Sequence, residues 1–219
     1  VVALSAGLFA CLGLILSYLL ARHMRLGGWV LRLVLAGIAV SALFSSGVGV
    51  LKYLADPTQQ LPEIVFWLLG GLWAVTWTDL LYILPPVLIG LAVIYLMRWR
   101  LNLLGLSDET AFSLGVAVGR ERLLLLAASV IITAAVVSIS GIIGWVGLII
   151  PHIARRLVGA NAAEHLPVAM LFGGIFVVLS DDLARSLLAG EIPLGILTSL
   201  FGAAVFIVLM ASNNLRVQR

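Results

Sequence analysis

The chain has 219 residues, 63% of them hydrophobic and 11% charged, with a mean hydropathy of +1.20. Soluble domains are about 45–50% apolar and about 25% charged, so a water-soluble fold is excluded, and no alternation of the membrane-barrel kind is present. The net charge of +3 is spread in short basic clusters at the ends of apolar runs rather than gathered in one patch, which excludes a nucleic-acid surface and marks membrane topology instead.

In chain order, apolar runs bounded by polar or helix-breaking residues fall at about 1–20, 30–54, 80–97, 123–139, 141–157, 166–188 and 193–211. A shorter apolar stretch runs from Ile64 to Val75. A hydrocarbon core of about 30 Å needs about 20 residues of helix, so the fold class is all-α, a polytopic transmembrane helical bundle with about seven spans. Val1 opens within an apolar run, without a methionine, a basic leader or a cleavage site, and reads as the start of an N-terminally truncated chain. No internal repeat or low-complexity linker divides residues 1–219, which read as a single transmembrane domain. Cys11, the sole cysteine, lies inside an apolar run and reads as a small packing residue.

The run from Leu123 to Ile150 is either one long tilted helix or two short ones broken near Ser140, Gly141 and Gly144. The basic residues decide between them. With seven spans, Arg22, Arg25, Arg32, Arg98, Arg100, Arg120, Arg122, Arg155, Arg156, Arg216 and Arg219 share one side and only Lys52 and Arg185 the other, eleven against two. An unbroken helix would make the split eight against five. The positive-inside bias therefore selects the break and places the loops near 22–29, 98–122 and 155–165, with the C-terminus, in the cytoplasm.

Ion-coupled carriers hold ionisable side chains near the bilayer midplane. Here the acidic residues, from Asp56 to Glu191, and His23, His152 and His165 all fall in loops or near span ends. The sequence also has no phosphate-binding loop, no HExxH and no nucleophile elbow. Uphill work would thus draw on another polypeptide. A passive channel, or an integral membrane enzyme whose active residues lie in a missing N-terminal part, is the alternative reading.

The segment 98–122 contains a compact helix signature. Ser107 is suited to N-capping, Asp108 and Glu109 to the positive end of the helix dipole, and Gly115 to termination, while Ala111, Phe112 and Leu114 give a short apolar surface. Physically this is either a helix that docks into a partner protein or an interfacial loop resting on lipid headgroups.

The segments LNLLGLSDETAFSLGV, GIIGWVGLIIPHIARRLVG and DDLARSLLAGEIPLGILTSLFGA, with LAGIAVSALF and IVFWLLGGL upstream, occur in one order between about Leu35 and Leu209. In this arrangement they resemble the FecCD-type permeases of type II ABC importers. The resemblance implies ten helices, of which these seven would be the last, in a bacterial inner membrane. It implies two permease copies, as homodimer or heterodimer, two cytoplasmic ATPase subunits that hold ATP and magnesium, and a periplasmic substrate-binding protein. This chain itself would bind no cofactor and catalyse no covalent reaction. The cargo implied is a metal chelate, an iron-siderophore first, with haem and cobalamin as alternatives.

By the same resemblance, Leu104, Gly105, Asp108, Glu109, Phe112, Leu114 and Gly115 correspond to the coupling helices that sit in a cleft of the ATPase. Arg185 corresponds to an arginine that pairs with a carboxylate of the binding protein, although Asp181, four residues before it, offers a purely local partner. Asp182 stands where the family more often has a hydroxyl or apolar residue. Gly37, Ser41, Ser45 and Gly49, and Gly195, Thr198, Ser199 and Gly202, form small-residue stripes that serve either close helix packing or, as in the family, the translocation path. His152 beside Pro151, Arg155 and Arg156 reads as a helix-end residue rather than a metal ligand. Pro62, Trp67, Trp73 and Trp77 suit a short interfacial helix.

Overall fold

The computed structural model describes residues 2–25, 27–187 and 190–214. Arg216 and Arg219, counted above on the cytoplasmic side, lie outside the described residues. The regular elements among those described are α-helices: α1 (Val2–His23), α2 (Trp29–Leu54), α3 (Gln60–Leu69), α4 (Trp77–Leu96), α5 (Arg98–Leu104), α6 (Asp108–Ser113), α7 (Val118–Ser140), α8 (Val146–Val158), α9 (Ala162–Ser186) and α10 (Leu194–Asn214).

The seven apolar runs correspond to α1, α2, α4, α7, α8, α9 and α10. Five of these, α1, α2, α4, α7 and α9, are long and apolar enough to cross a membrane on their own. The break chosen by the basic residues is present, since α7 stops at Ser140 and α8 starts only at Val146. With 13 residues α8 is about 20 Å long, too short alone for a core of about 30 Å. Two backbone reversals make the interruption, Gly141 at φ 64° and Trp145 at φ 69°.

The helices sort into two compact units. The first comprises Val1–Val65, Trp77–Ile94 and Gly119–Ile139. Within it α1 lies along α2: Gly13 admits the ring of Phe44, which also meets Phe9 edge-on at 6.4 Å, and Tyr18 meets Trp29 at 5.3 Å. Ala21 and Ala36 are fully buried, as close helix packing between small residues requires. Cys11 is exposed on α1, a correction to its reading as a packing residue. Gly90 of α4 meets Ile132 of α7, and the Trp29 ring has the guanidinium groups of Arg32 and Arg122 at 5.6 and 5.5 Å.

The second unit comprises Phe66–Thr76, Tyr95–Val118 and Ser140–Arg219. Its core is α8 against α9 with α10 packed on both, around the buried side chains of Ile149, Ala154, Ala184, Leu194 and Thr198. The end of α3 closes on the helix break. Gly71 N–H donates to the Ser140 carbonyl at 2.8 Å, and a side chain at Gly141 would strike the Trp67 carbonyl. The break thus has one of its freed backbone carbonyls satisfied by protein rather than left unpaired. Trp145 in turn lies over Gly202 and meets Phe206 edge-on at 6.2 Å.

Candidate functional site

The segment after α4 begins with Met97, whose carbonyl accepts from the N–H groups of Arg100 and Leu101 and starts α5 almost without interruption. Arg98 lies 4.1 Å over the Tyr95 ring. Leu104 ends α5, Gly105 follows it, and the chain turns into α6, so the segment holds two short helices where the sequence signature pointed to one.

Helix α6 is closed at both ends by its own residues. The Ser107 hydroxyl accepts from Thr110 N–H at 3.3 Å, and Asp108 and Glu109 occupy the first turn. At the other end Gly115, at φ 78°, donates to the Phe112 carbonyl, and Val116 N–H reaches back to the Ala111 carbonyl at 3.1 Å. This is a Schellman closure, completed by the burial of Ala111 and Val116 to 1% exposure each. Phe112 and Leu114 are left outward at 76% and 57% exposure. One turn of helix is thus anchored on its inner face while an aromatic and an aliphatic side chain stand free.

A second pair of residues fastens this segment to α9. Asn102 of α5 donates through Nδ2 to Asn161 Oδ1 at 2.8 Å, and its own Oδ1 accepts from Ala162 N–H at 2.7 Å. Asn161 Oδ1 also accepts from Ala163 N–H at 3.1 Å, and its amide nitrogen donates to Glu164 at 2.9 Å. Two orphan N–H groups of the first turn of α9 are thereby capped, one by its N-cap residue and one by a side chain 60 residues earlier. The sequence reading missed both asparagines. Asn161 with Glu164 three residues on is a legible cap pattern, and Asn102 is the one polar residue in the apolar stretch Leu101–Leu106.

At the other end of α9, Arg185 Nε donates to Asp181 at 2.8 Å, and its Nη1 lies 3.7 Å from Glu191. The guanidinium side chain remains 44% exposed. The local pair read from the sequence is present, and Glu191, across the turn before α10, joins it.

The small-residue positions divide between the two units. On α2, Ser41, Ser45 and Gly49 are exposed and Gly37 half-buried. On α10, Gly195 fits beneath the Leu69 carbonyl, Gly202 makes room for Trp145, and Thr198 is fully buried with its hydroxyl on the Gly195 carbonyl. Ser199 faces an open apolar groove of about 650 Å³ lined by Leu69, Ile142, Trp145, Leu148 and Ile196. Of the three tryptophans assigned to a short helix only Trp67 lies on α3; Trp73 follows it in the turn and Trp77 opens α4, because the chain reverses at Gly70, φ 68°. His152 is exposed midway along α8.

The profile of the FecCD transport family matches residues 1–212. The chain belongs to that family. Among its FecCD relatives, the molybdate import system permease protein of Haemophilus influenzae is 46% identical over 181 residues, 83% of this chain and 54% of that protein. A probable iron chelatin transport system permease protein of Helicobacter pylori is 40% identical over 212 residues, 96% and 65% of the two chains. The hemin transport system permease protein of Yersinia pestis is 44% identical over 188 residues, 84% and 55% of the two. A solved metal-chelate type ABC transporter in an inward-facing conformation superposes with a TM-score of 0.85 at 43% identity, over 91% of this chain and 63% of that one. The chain thus spans between half and two thirds of the length of these FecCD proteins, and it is a multi-pass membrane protein like them.

Proposed function

We propose that this chain is part of the membrane-spanning permease of an ATP-binding-cassette importer that carries a metal chelate, an iron chelate first among them, into the cytoplasm. The observation that carries this reading is α6: a single turn locked at both ends by Ser107, Gly115 and Val116, with Phe112 and Leu114 held outward. An exposed apolar pair on a preorganised turn fits a cleft in a partner protein, and ordering it on binding sacrifices little entropy. The arginine distribution favours a cytoplasmic position for this segment, where an ATPase would meet it. ATP and magnesium would be held by that partner, and the energy of hydrolysis would enter through α5 and α6.

On the same topology the Arg185 end of α9 faces outward, where a substrate-binding protein would deliver cargo. The half-exposed guanidinium would steer a carboxylate on that protein more than it would add affinity. A second permease copy would complete the translocation path, to which the open face of α2 at Gly37, Ser41 and Ser45 and the groove at Ser199 would contribute; Thr198 would support that wall from within.

The test is the substitution Phe112→Asp in the full-length permease expressed with its ATPase. Loss of ATPase co-purification and of ATP-driven uptake is the expected result. Unchanged uptake by that variant would refute the assignment.

A further inference from the structure

We infer that Asn102 and Asn161 form a mechanical joint through which displacement of the α5–α6 segment is passed into α9 and along it to the Arg185 end. The inference rests on the importer reading and names a route within it.

The geometry is that of a joint rather than of surface contact. Asn102 presents both faces of one amide, a donor to Asn161 and an acceptor to Ala162 N–H, so α5 cannot shift or rotate against the start of α9 without breaking both bonds. Ala162, between the two asparagines, is buried to 5% exposure, and Asn102 and Asn161 are themselves partly shielded, so water is a poor substitute for either partner. Asn161 has no slack of its own: its side chain is held by Ala163 N–H and Glu164, and its carbonyl accepts from His165 N–H at 3.0 Å. The joint therefore seizes α9 by its first turn.

What lies beyond it makes the connection useful. Helix α9 runs for 25 residues, about 37 Å, with Pro167 in its second turn, and its far end carries Asp181 and Arg185. Helix α9 is packed along its length on α8 and α10, which brace it across Pro167 and the Gly173-Gly174 pair, so a displacement imposed at Asn161 would be carried with that packed layer to Arg185. Coupling of two sites is reciprocal, and whatever engages the Arg185 end would bias α5 and α6 by the same route. Asn102 and Asn161 are thus positioning residues that act through α6 and Arg185.

The two asparagines make the route testable because their carboxylate isosteres differ in effect. In Asn161→Asp the oxygen that accepts from Asn102 and Ala163 is kept, and the variant is made together with Glu164→Gln so that the new carboxylate meets an amide donor in place of a second carboxylate. In Asn102→Asp the donor is lost and a carboxylate oxygen faces Asn161 Oδ1, while the acceptor for Ala162 N–H remains. The full-length permease is reconstituted in vesicles with its ATPase and its binding protein, and the ratio of binding-protein-stimulated to basal ATP hydrolysis is measured together with uptake. This ratio does not depend on how much complex is folded.

The expected result is that Asn102→Asp retains the ATPase and its basal hydrolysis but lowers the stimulation ratio and uptake by about tenfold, while Asn161→Asp with Glu164→Gln stays within about twofold of the parent. If Asn102→Asp does not assemble, Asn102→Gln, which moves the same amide one methylene too far, is measured in its place with the same expectation. An unaltered ratio in the position-102 variants, or equal impairment by Asn161→Asp with Glu164→Gln, overturns the joint. Failure of the parent permease to bind or stimulate any ATPase overturns the importer reading instead.

Discussion

The side chains of Asn102 and Asn161 meet at 2.8 Å although 59 positions separate them in the chain, and between them they cap the start of α9. Each pairs a first-turn N–H that the helix itself leaves open, Asn102 that of buried Ala162 and Asn161 that of half-buried Ala163. Asn102→Ala leaves one first-turn donor without a partner and is expected to lower stability by about 1–2 kcal/mol. Asn161→Ala removes an N-cap and should lower it by about 1 kcal/mol. Because the two share a bond, the double variant should fall short of the sum, which thermal unfolding of the purified permease in a double-mutant cycle would measure.

Stability and partner binding should separate on α6. Ser107 serves only the helix, so Ser107→Ala is expected to destabilise the segment by about 1 kcal/mol. Phe112 serves no contact that its burial would reveal, being 76% exposed, so Phe112→Ala should change stability by less than about 0.5 kcal/mol. ATPase co-purification should nevertheless fall sharply with Phe112→Ala and only modestly with Ser107→Ala. Parallel thermal unfolding and pull-down measurements on the two variants check this, and the reverse order would remove Phe112 from the docking surface.

Much of this arrangement was legible in the sequence because local rules fix it. Apolar runs near membrane length give α1, α2, α4, α7 and α9, and the arginine imbalance selects the break after Ser140. Ser107 and Gly115 announce α6 by cap chemistry alone. The contacts that hold the second unit together were not legible, since they join residues far apart in sequence: Asn102 with Asn161, Gly71 with Ser140, Gly195 with the Leu69 carbonyl. A glycine in an apolar run reads as a generic packing residue until the backbone it admits is known. The exposure of Cys11 has the same origin, because periodicity does not say which face of α1 finds α2.

At position 141 of the helix break the chain tolerates only glycine. Gly141 combines φ 64° with a Cβ direction blocked by the Trp67 carbonyl, so neither backbone strain nor overlap can be relieved by a side-chain rotation. Gly141→Ala is expected to destabilise the permease by about 2–5 kcal/mol, the sum of a left-handed alanine and an overpacked contact. Gly144, whose added Cβ meets nothing within 4 Å, is the internal control and should accept alanine with less than about 1 kcal/mol of change. Detergent-solubilised thermal stability of the two variants distinguishes them, and equal effects would argue against the α3 contact as the reason for the break.

The ion pair on α9 gives a prediction of sign. Arg185 is shared between Asp181 at 2.8 Å and Glu191 at 3.7 Å, and with 44% of its side chain exposed the pairing is screened by water, so its contribution to stability is at most a few tenths of a kcal/mol. If the guanidinium also serves an external carboxylate, its local partners compete for it. Asp181→Asn should then leave thermal stability unchanged and strengthen capture of the binding protein, whereas Arg185→Glu, which would set a third carboxylate beside Asp181 and Glu191, should weaken capture by about tenfold or more. Both effects should shrink when the salt concentration is raised from about 0.01 M to about 1 M, where the screening length falls from about 30 to about 3 Å. Capture of the cognate binding protein on immobilised permease at the two ionic strengths measures this. A purely local ion pair would instead leave capture unmoved by Asp181→Asn, by Arg185→Glu and by salt.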